Sequence, residues 1–208
     1  AKSVLIKKRQ GRWTFQFIQD DPVQAREEQP RRIAVDVGLN VLAATSDGRL
    51  FGQRTKPKFD ALYLRTKQFR ANRQRQGLKH DSPRLDACEA RLSGFLKTEI
   101  NRVANQLVKK YPETSFVIED LDLRGCRGQK RFAYKKLHHS LENKAHVITV
   151  NPAYTSQQCP SCGYISRQNR SGIKFQCRSC HRLSHADVVG AVNLLRRSED
   201  PKMTVQTP

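Results

Sequence analysis

Cys159, Cys162, Cys177 and Cys180 form two C-x-x-C pairs with fourteen residues between them. Each pair places two sulfurs within reach of one ion, and this spacing predicts a tetrahedral zinc site. Four thiolates leave no ligand position for water, so the zinc is expected to be structural. Gly163, directly after the first pair, suits the left-handed backbone that tightens such a turn. Shortly after the last cysteine come His185, Ala186 and Asp187, then an apolar run over 188–195 that contains Asn193. A cysteine ribbon leading into an acid at a helix start points to metal-dependent chemistry on nucleic acid. Two more acids stand in apolar segments: Asp36 between Val35 and Val37, and Glu119 after Phe116, Val117 and Ile118. A carboxylate buried in a strand is costly unless it is paired or ligates a cation. Three acids converging from separate segments can hold two Mg2+ ions about 4 Å apart, and such hard ions prefer oxygen ligands. Each acid also has a plainer reading. Asp36 can pair with Arg31 or Arg32, Glu119 can be a surface acid beside Asp120 and Asp122, and Asp187 can be a helix cap.

Composition narrows the partners. The 208 residues carry 39 Lys and Arg against 19 Asp and Glu, a net charge of +20 with pI near 10.2. Solubility does not require such an excess, and a polyanionic partner explains it. No apolar run approaches the roughly 20 residues of a membrane span, and the first residues lack a signal-peptide core, so no membrane attachment is expected. Four of the six cysteines sit in paired knuckles, while Cys88 and Cys126 are isolated and read as unligated thiols. This pattern favours a reducing compartment over disulfides, so a cytoplasmic location is expected. The chain starts at Ala1 and its one methionine is Met203, so a processed or truncated product is expected.

The elements that must position these residues follow from periodicity. Residues 3–18 alternate around Gln10-Gly11 and read as a hairpin. Since a lone two-stranded hairpin is marginal in water, a further sheet partner is expected. Residues 20–32, with Pro22 and Pro30, read as a linker. Residues 33–38, 41–45 and 50–51 read as three short strands joined by tight turns. Residues 58–80 and 84–110 read as helices separated by Pro83, the second with an apolar stripe that marks core. A strand at 115–119, a basic glycine-containing loop at 124–136, a short helix at 134–145 and a strand at 147–150 follow. The predicted divisions are a terminal hairpin and linker at 1–30 and a nuclease-like core at 31–150 with a helical insertion at 57–111. A zinc ribbon at 151–185, a final helix at 186–198 and a disordered tail at 199–208 complete them. The order strand acid, three-strand meander, helices, strand acid, helix, strand, helix acid is that of an α/β RNase H-like mixed sheet.

Basic residues supply the expected nucleic-acid contacts. The first helix carries Arg65, Lys67, Arg70, Arg73, Arg75 and Lys79 with no acid between Ala61 and His80. A helix so one-sided in charge suits a phosphate backbone. Arg124, Arg127 and Lys130 in the basic loop, and Arg167 and Arg170 in the ribbon, join this set. Tyr154, Thr155, Ser156 and Gln157 are expected to help the ribbon touch substrate, with Tyr154 as a core aromatic the competing view. Asn193 can reach nucleic acid or support the fold. His185 is expected to set the helix start.

The segments IAVDVGLN, FVIEDLDLRG, VNPAYTSQQCPSCG and HADVVGAVNLL resemble the three RuvC motifs and zinc ribbon of the TnpB family. These are transposon-encoded RNA-guided DNA endonucleases related to type V CRISPR effectors. The resemblance runs from about residue 31 to 197. It implies a catalytic, Mg2+-binding triad of Asp36, Glu119 and Asp187, and zinc on Cys159, Cys162, Cys177 and Cys180. It also implies a guide RNA and a target DNA as partners, and a helical hairpin near their duplex. The 3–18 hairpin resembles the last strands of the family's wedge barrel, so the N-terminal recognition half is expected to be missing. No HNH-type insertion follows Glu119, and His181 stands where a glycine is common after the second knuckle. The rival readings are an RNA-guided DNA-binding repressor without cleavage and a DNA-joining transposase.

Overall fold

The computed structural model describes residues 3–9, 12–18, 26–38, 40–78, 82–121 and 129–200. Strands β1 (Ser3–Arg9) and β2 (Arg12–Ile18) pair antiparallel, with Ser3 opposite Ile18 and Arg9 opposite Arg12, as the alternation predicts. Val4, Ile6, Trp13 and Phe15 stay exposed on this ribbon. The expected Gln10-Gly11 turn, residues 20–25 of the linker, Cys126 and the 201–208 tail lie outside the described residues.

The central sheet holds β3 (Arg31–Asp36), β4 (Ala43–Thr45), β5 (Leu50–Phe51), β6 (Thr114–Glu119) and β7 (Val147–Val150), in the order β5-β4-β3-β6-β7. The first three form an antiparallel meander, while β3, β6 and β7 run parallel. Parallel neighbours need a long crossover. The helices α1 (Thr55–Arg75) and α2 (Pro83–Lys110) lie between β5 and β6, and α3 (Gln129–Glu142) lies between β6 and β7.

Successive side chains in a strand face opposite sides. Ile33 and Val35 on β3, with Phe116 and Ile118 on β6, pack against Leu96, Ile100, Val103 and Leu107 of α2 and Leu137 and Leu141 of α3. Ala34 and Val117 face the other way, onto Leu194 of α4 (Ala186–Glu199). Each fully buried Leu, Ile, Val or Phe contributes about 1.5–3 kcal/mol, so both faces are firmly covered. Asp36 follows Ala34 by two residues and Glu119 follows Val117 by two. Both acids therefore belong to the α4 side.

A second, smaller sheet contains β8 (Arg170–Ser171), β9 (Lys174–Gln176) and β10 (Leu183–His185) in the order β10-β9-β8. Cys159, Phe175, Cys177, Ala186 and Val189 make its own core, so α4 seals both bodies.

Two boundaries differ from expectation. Pro83 does not separate the helices; it is the first residue of α2, after Ser82. Its missing N–H is harmless in a first turn, where the donor has no partner anyway. The basic 124–136 segment is not a loop over its second half, because α3 starts at Gln129. Ala133, Tyr134, Leu137 and Leu141 recur at helical spacing and are buried. That packing outweighs the basic, glycine-containing composition. Among the described residues no helix is long and apolar enough to cross a membrane.

Candidate active site and metal centre

Asp36 and Glu119 end adjacent parallel strands, with Val35 beside Ile118 in register. Both are half-buried. Asp187 is buried in the first turn of α4, where the helix dipole favours a negative charge by about 0.3–1 kcal/mol. Gly190 lets α4 approach Asp36, and Gly38 lies beside Asp187. A Cβ on Gly190 of α4 would lie 2.6 Å from Asp36 Oδ2, and one on Gly38 would lie 3.8 Å from Asp187 Oδ2. The helix backbone thus lies directly on the Asp36 carboxylate, and Asp187 reaches back toward the end of β3. Asp36 and Asp187 thus flank the contact of β3 with α4, a cradle whose carboxylates suit hard divalent cations. Among the described residues, the only ligand group closed to within 4.8 Å is the four cysteines, so the acids stand in a wider arrangement.

Neighbouring groups fix the chain at Glu119 and Asp187. The Tyr134 hydroxyl of α3 donates to the Glu119 carbonyl. Burial raises the Tyr134 phenol to about 12, so it stays protonated as a donor. The Asp120 N–H donates to the Val150 carbonyl at 2.7 Å and holds the end of β6. His185 caps α4, its Nδ1 accepting from the Asp187 N–H at 3.3 Å. Positioning at the helix start is thus the observed role of His185. Arg170 donates through Nη2 to Asp187 Oδ1 at 2.7 Å. This arginine, expected on nucleic acid, is committed to an acid within the chain.

The four thiols meet the demands of a tetrahedral ion. Cys159 and Cys180 sulfurs lie 3.6 Å apart, and those of Cys162 and Cys177 lie 3.5 Å apart. Metal–sulfur bonds of about 2.3 Å imply tetrahedral edges near ~3.8 Å. The N–H groups of Ser161 and Cys180 donate to the Cys159 and Cys177 sulfurs at 3.4 Å. Burial raises the Cys177 thiol, but the N–H groups of Cys180 and Ser179 and the neighbouring thiols outweigh it and lower it to about 6. Gly163 has φ 77°, as its place in the knuckle predicts. His181 also sits in left-handed backbone, at φ 59°, and is exposed. It is a surface residue in a conformation that glycine adopts more easily.

Asn193 supports the fold. Its Nδ2 donates to the carbonyls of Thr155 at 2.7 Å and Gln158 at 2.8 Å, joining α4 to the ribbon. Tyr154 is exposed rather than a core aromatic. Arg65, Lys67, Arg75 and Arg167 are exposed, as a phosphate-facing set requires. Arg70 instead pairs with Glu89 of α2, an acid distant in sequence that clamps the helical hairpin. Arg73 is half-buried. Lys79, Arg124 and Arg127 lie outside the described residues, as does the side chain of Lys130.

Comparison with known proteins now bears on this arrangement. Residues 133–194 match the family described as Cas12f1-like, TNB domain. InsQ, a candidate RNA-guided DNA endonuclease of Escherichia coli K12, is 26% identical over 236 positions, covering 94% of this chain and 56% of that protein. A TnpB-like protein of Methanocaldococcus jannaschii is 35% identical over 89 positions, 39% of this chain and 42% of that protein. The chain is thus similar to TnpB-like proteins and to a Cas12f1-like domain. It spans about half the length of these relatives. A Cas12f1 chain solved with single-guide RNA and target DNA aligns over 96% of this chain and 56% of its own, with TM-score 0.51 and 18% identity. That likeness concerns the fold, a RuvC-type mixed sheet with a cysteine ribbon.

Sequence reasoning missed Gly190 and Tyr134. Gly190 lies three residues after Asp187, and that small residue one turn from the acid was the available signal. Tyr134 gave none, because its partner is a backbone carbonyl.

Proposed function

We propose that this chain is the nuclease portion of an RNA-guided, metal-dependent DNA endonuclease. The observation that carries the reading is the convergence of Asp36 and Glu119 on the α4 face, where Gly190 lies against Asp36 and Asp187 reaches toward Gly38. Asp36, Glu119 and Asp187 would hold Mg2+, which when bound activates water and neutralises charge on a phosphodiester. Cys159, Cys162, Cys177 and Cys180 would hold a structural Zn2+, closed to water. The chain's own groups set the stage. His185 and Tyr134 fix the backbone beside two of the acids, and the exposed arginines and lysine of α1 and the ribbon attract the phosphate backbone. Guide RNA and target DNA as partners, with a recognition half outside this chain, are part of the proposal. Its support is the family-model match over residues 133–194 and the names of the relatives.

The test uses the longer natural protein purified with its co-expressed RNA. Guide-matched DNA duplex is incubated with Mg2+ and the wild type, Asp36→Ala, Glu119→Ala or Asp187→Ala. Cleavage by the wild type alone supports the reading. Guided binding without cleavage by any of them would leave a repressor, and strand-joined products would indicate a transposase.

A further inference from the structure

We infer that Arg170 is a positioning residue for Asp187, through which the cysteine ribbon sets the orientation of a carboxylate at the acidic centre. The inference rests on the metal-binding reading of the three acids. The two oxygens of Asp187 have different neighbours. Oδ1 accepts from Arg170 Nη2 at 2.7 Å, while Oδ2 lies on the Gly38 side, toward the end of β3 and Asp36. The guanidinium is itself anchored, because its Nε donates to the Gly172 carbonyl at 3.2 Å. One planar fork therefore joins the β8–β9 turn to the carboxylate.

The same turn grips the helix start a second time. The Ala186 N–H donates to the Ile173 carbonyl at 2.9 Å, next to Gly172. Backbone and side chain of the first turn of α4 are thus both referred to residues 170–173. The Asp187 side chain is 9% exposed and that of Arg170 is 33%. The pair is shielded enough to hold its geometry, with the arginine at the rim. A short side chain has two torsions to fix, and the fork fixes the outer one. With Oδ1 occupied, Oδ2 is the oxygen offered to a cation. Groups that hold a ligating carboxylate in this way typically change metal affinity by about 10–100-fold when removed. A mere competitor for the carboxylate would act in the opposite direction, since its loss would strengthen cation binding.

Mn2+ binding distinguishes these cases without any turnover. The zinc-loaded 208-residue chain is titrated with Mn2+ while the free-ion paramagnetic resonance signal is followed, and Asp187→Ala identifies the site's share. Arg170→Met keeps the length of the side chain and removes the fork. It should weaken Mn2+ binding by about 10–100-fold, with zinc content and melting temperature close to wild type. Arg170→Lys keeps the charge but cannot bridge two acceptors in one plane, and should fall between. Unchanged or tighter binding by Arg170→Met overturns the inference and leaves the metal reading intact. If Arg170→Met loses its zinc, Arg170→Lys decides: weaker binding by at least about threefold supports the inference, and equal or tighter binding overturns it. A wild type with no Mn2+ site sensitive to Asp187→Ala overturns the metal reading and this inference together.

Discussion

Replacing Asn193 tests how α4 holds the ribbon. Its amide sends both protons to carbonyls, 2.7 Å to Thr155 and 2.8 Å to Gln158. Both partners are acceptors, so the amide nitrogen must face them. Asn193→Ala removes two hydrogen bonds worth about 1 kcal/mol each and leaves the carbonyls without these donors, at about 1–3 kcal/mol for a buried one. The Thr155 contact is buried and that to Gln158 is half-buried, where water can substitute. The expected loss is about 2–4 kcal/mol, a fall in melting temperature on the order of 10 °C. Asn193→Asp is nearly isosteric, yet it points a carboxylate oxygen at two carbonyls. That buried carboxyl has its folded pKa raised above the unfolded value near ~3.9. The protonated form can still donate one bond. Its stability is therefore greatest below the unfolded pKa and is lost as pH rises through the folded pKa. Urea unfolding of both zinc-loaded variants at pH 4.5 and pH 8 is the assay. Asn193→Asp should be the weaker at pH 8 and recover at pH 4.5. A loss below about 1 kcal/mol for Asn193→Ala, or an Asn193→Asp deficit independent of pH, would refute the reasoning.

Three further outcomes follow from the same geometry. Gly190→Val should weaken Mn2+ binding at the acids by more than about tenfold while zinc content holds, because a Cβ there would already lie 2.6 Å from Asp36 Oδ2. Valine does not weaken a helix relative to glycine, so unchanged Mn2+ affinity would discredit the cradle. The Tyr111 hydroxyl donates to both Asp47 oxygens at 2.9 Å. Partial burial raises the Asp47 carboxyl, but hydrogen bonds from Thr45 and Tyr111, with Arg49, outweigh it and lower it below its usual value. Such a group adds stability above its unfolded pKa and loses it as pH falls through the folded one. Tyr111→Phe should therefore cost about 1 kcal/mol at pH 7, with the gap to wild type narrowing as pH falls below the ordinary carboxylate range; urea curves showing a constant gap would contradict this. Cys177→Ser should reduce bound zinc from one per chain to below about one-tenth, since a structural site needs all four thiolates, and colorimetric zinc release showing full occupancy would count against the tetrahedral site.

Much of the fold was written locally. The period-two pattern around Asp36 and Glu119 marks two strands and puts each acid on the face of the residue two before it. The cysteine spacing carries its own geometry, since two short turns suffice to bring four sulfurs together. What escaped was non-local. The value of Gly190 lies in an atom it lacks, and only the approach of β3 to α4 gives that meaning. Arg70 looked unopposed along its own helix, but Glu89 comes from the next one. Arg170 looked like a surface cation because its acid lies seventeen residues on, across a turn. The start of α3 was masked by composition, as its buried residues matter only once α2 is in place.

The spacing of Asp187, Gly190 and Asn193 makes α4 a phase-setting rod. An α-helix turns about 100° per residue, so these three positions form a stripe that drifts by about 60° at each step. One end meets the acidic centre, the middle touches Asp36, and the far end grips the ribbon. A single residue inserted between 187 and 193 would leave both ends chemically intact but rotate one against the other by about 100°. Between these three fixed positions the chain can exchange side chains, yet it cannot change its count.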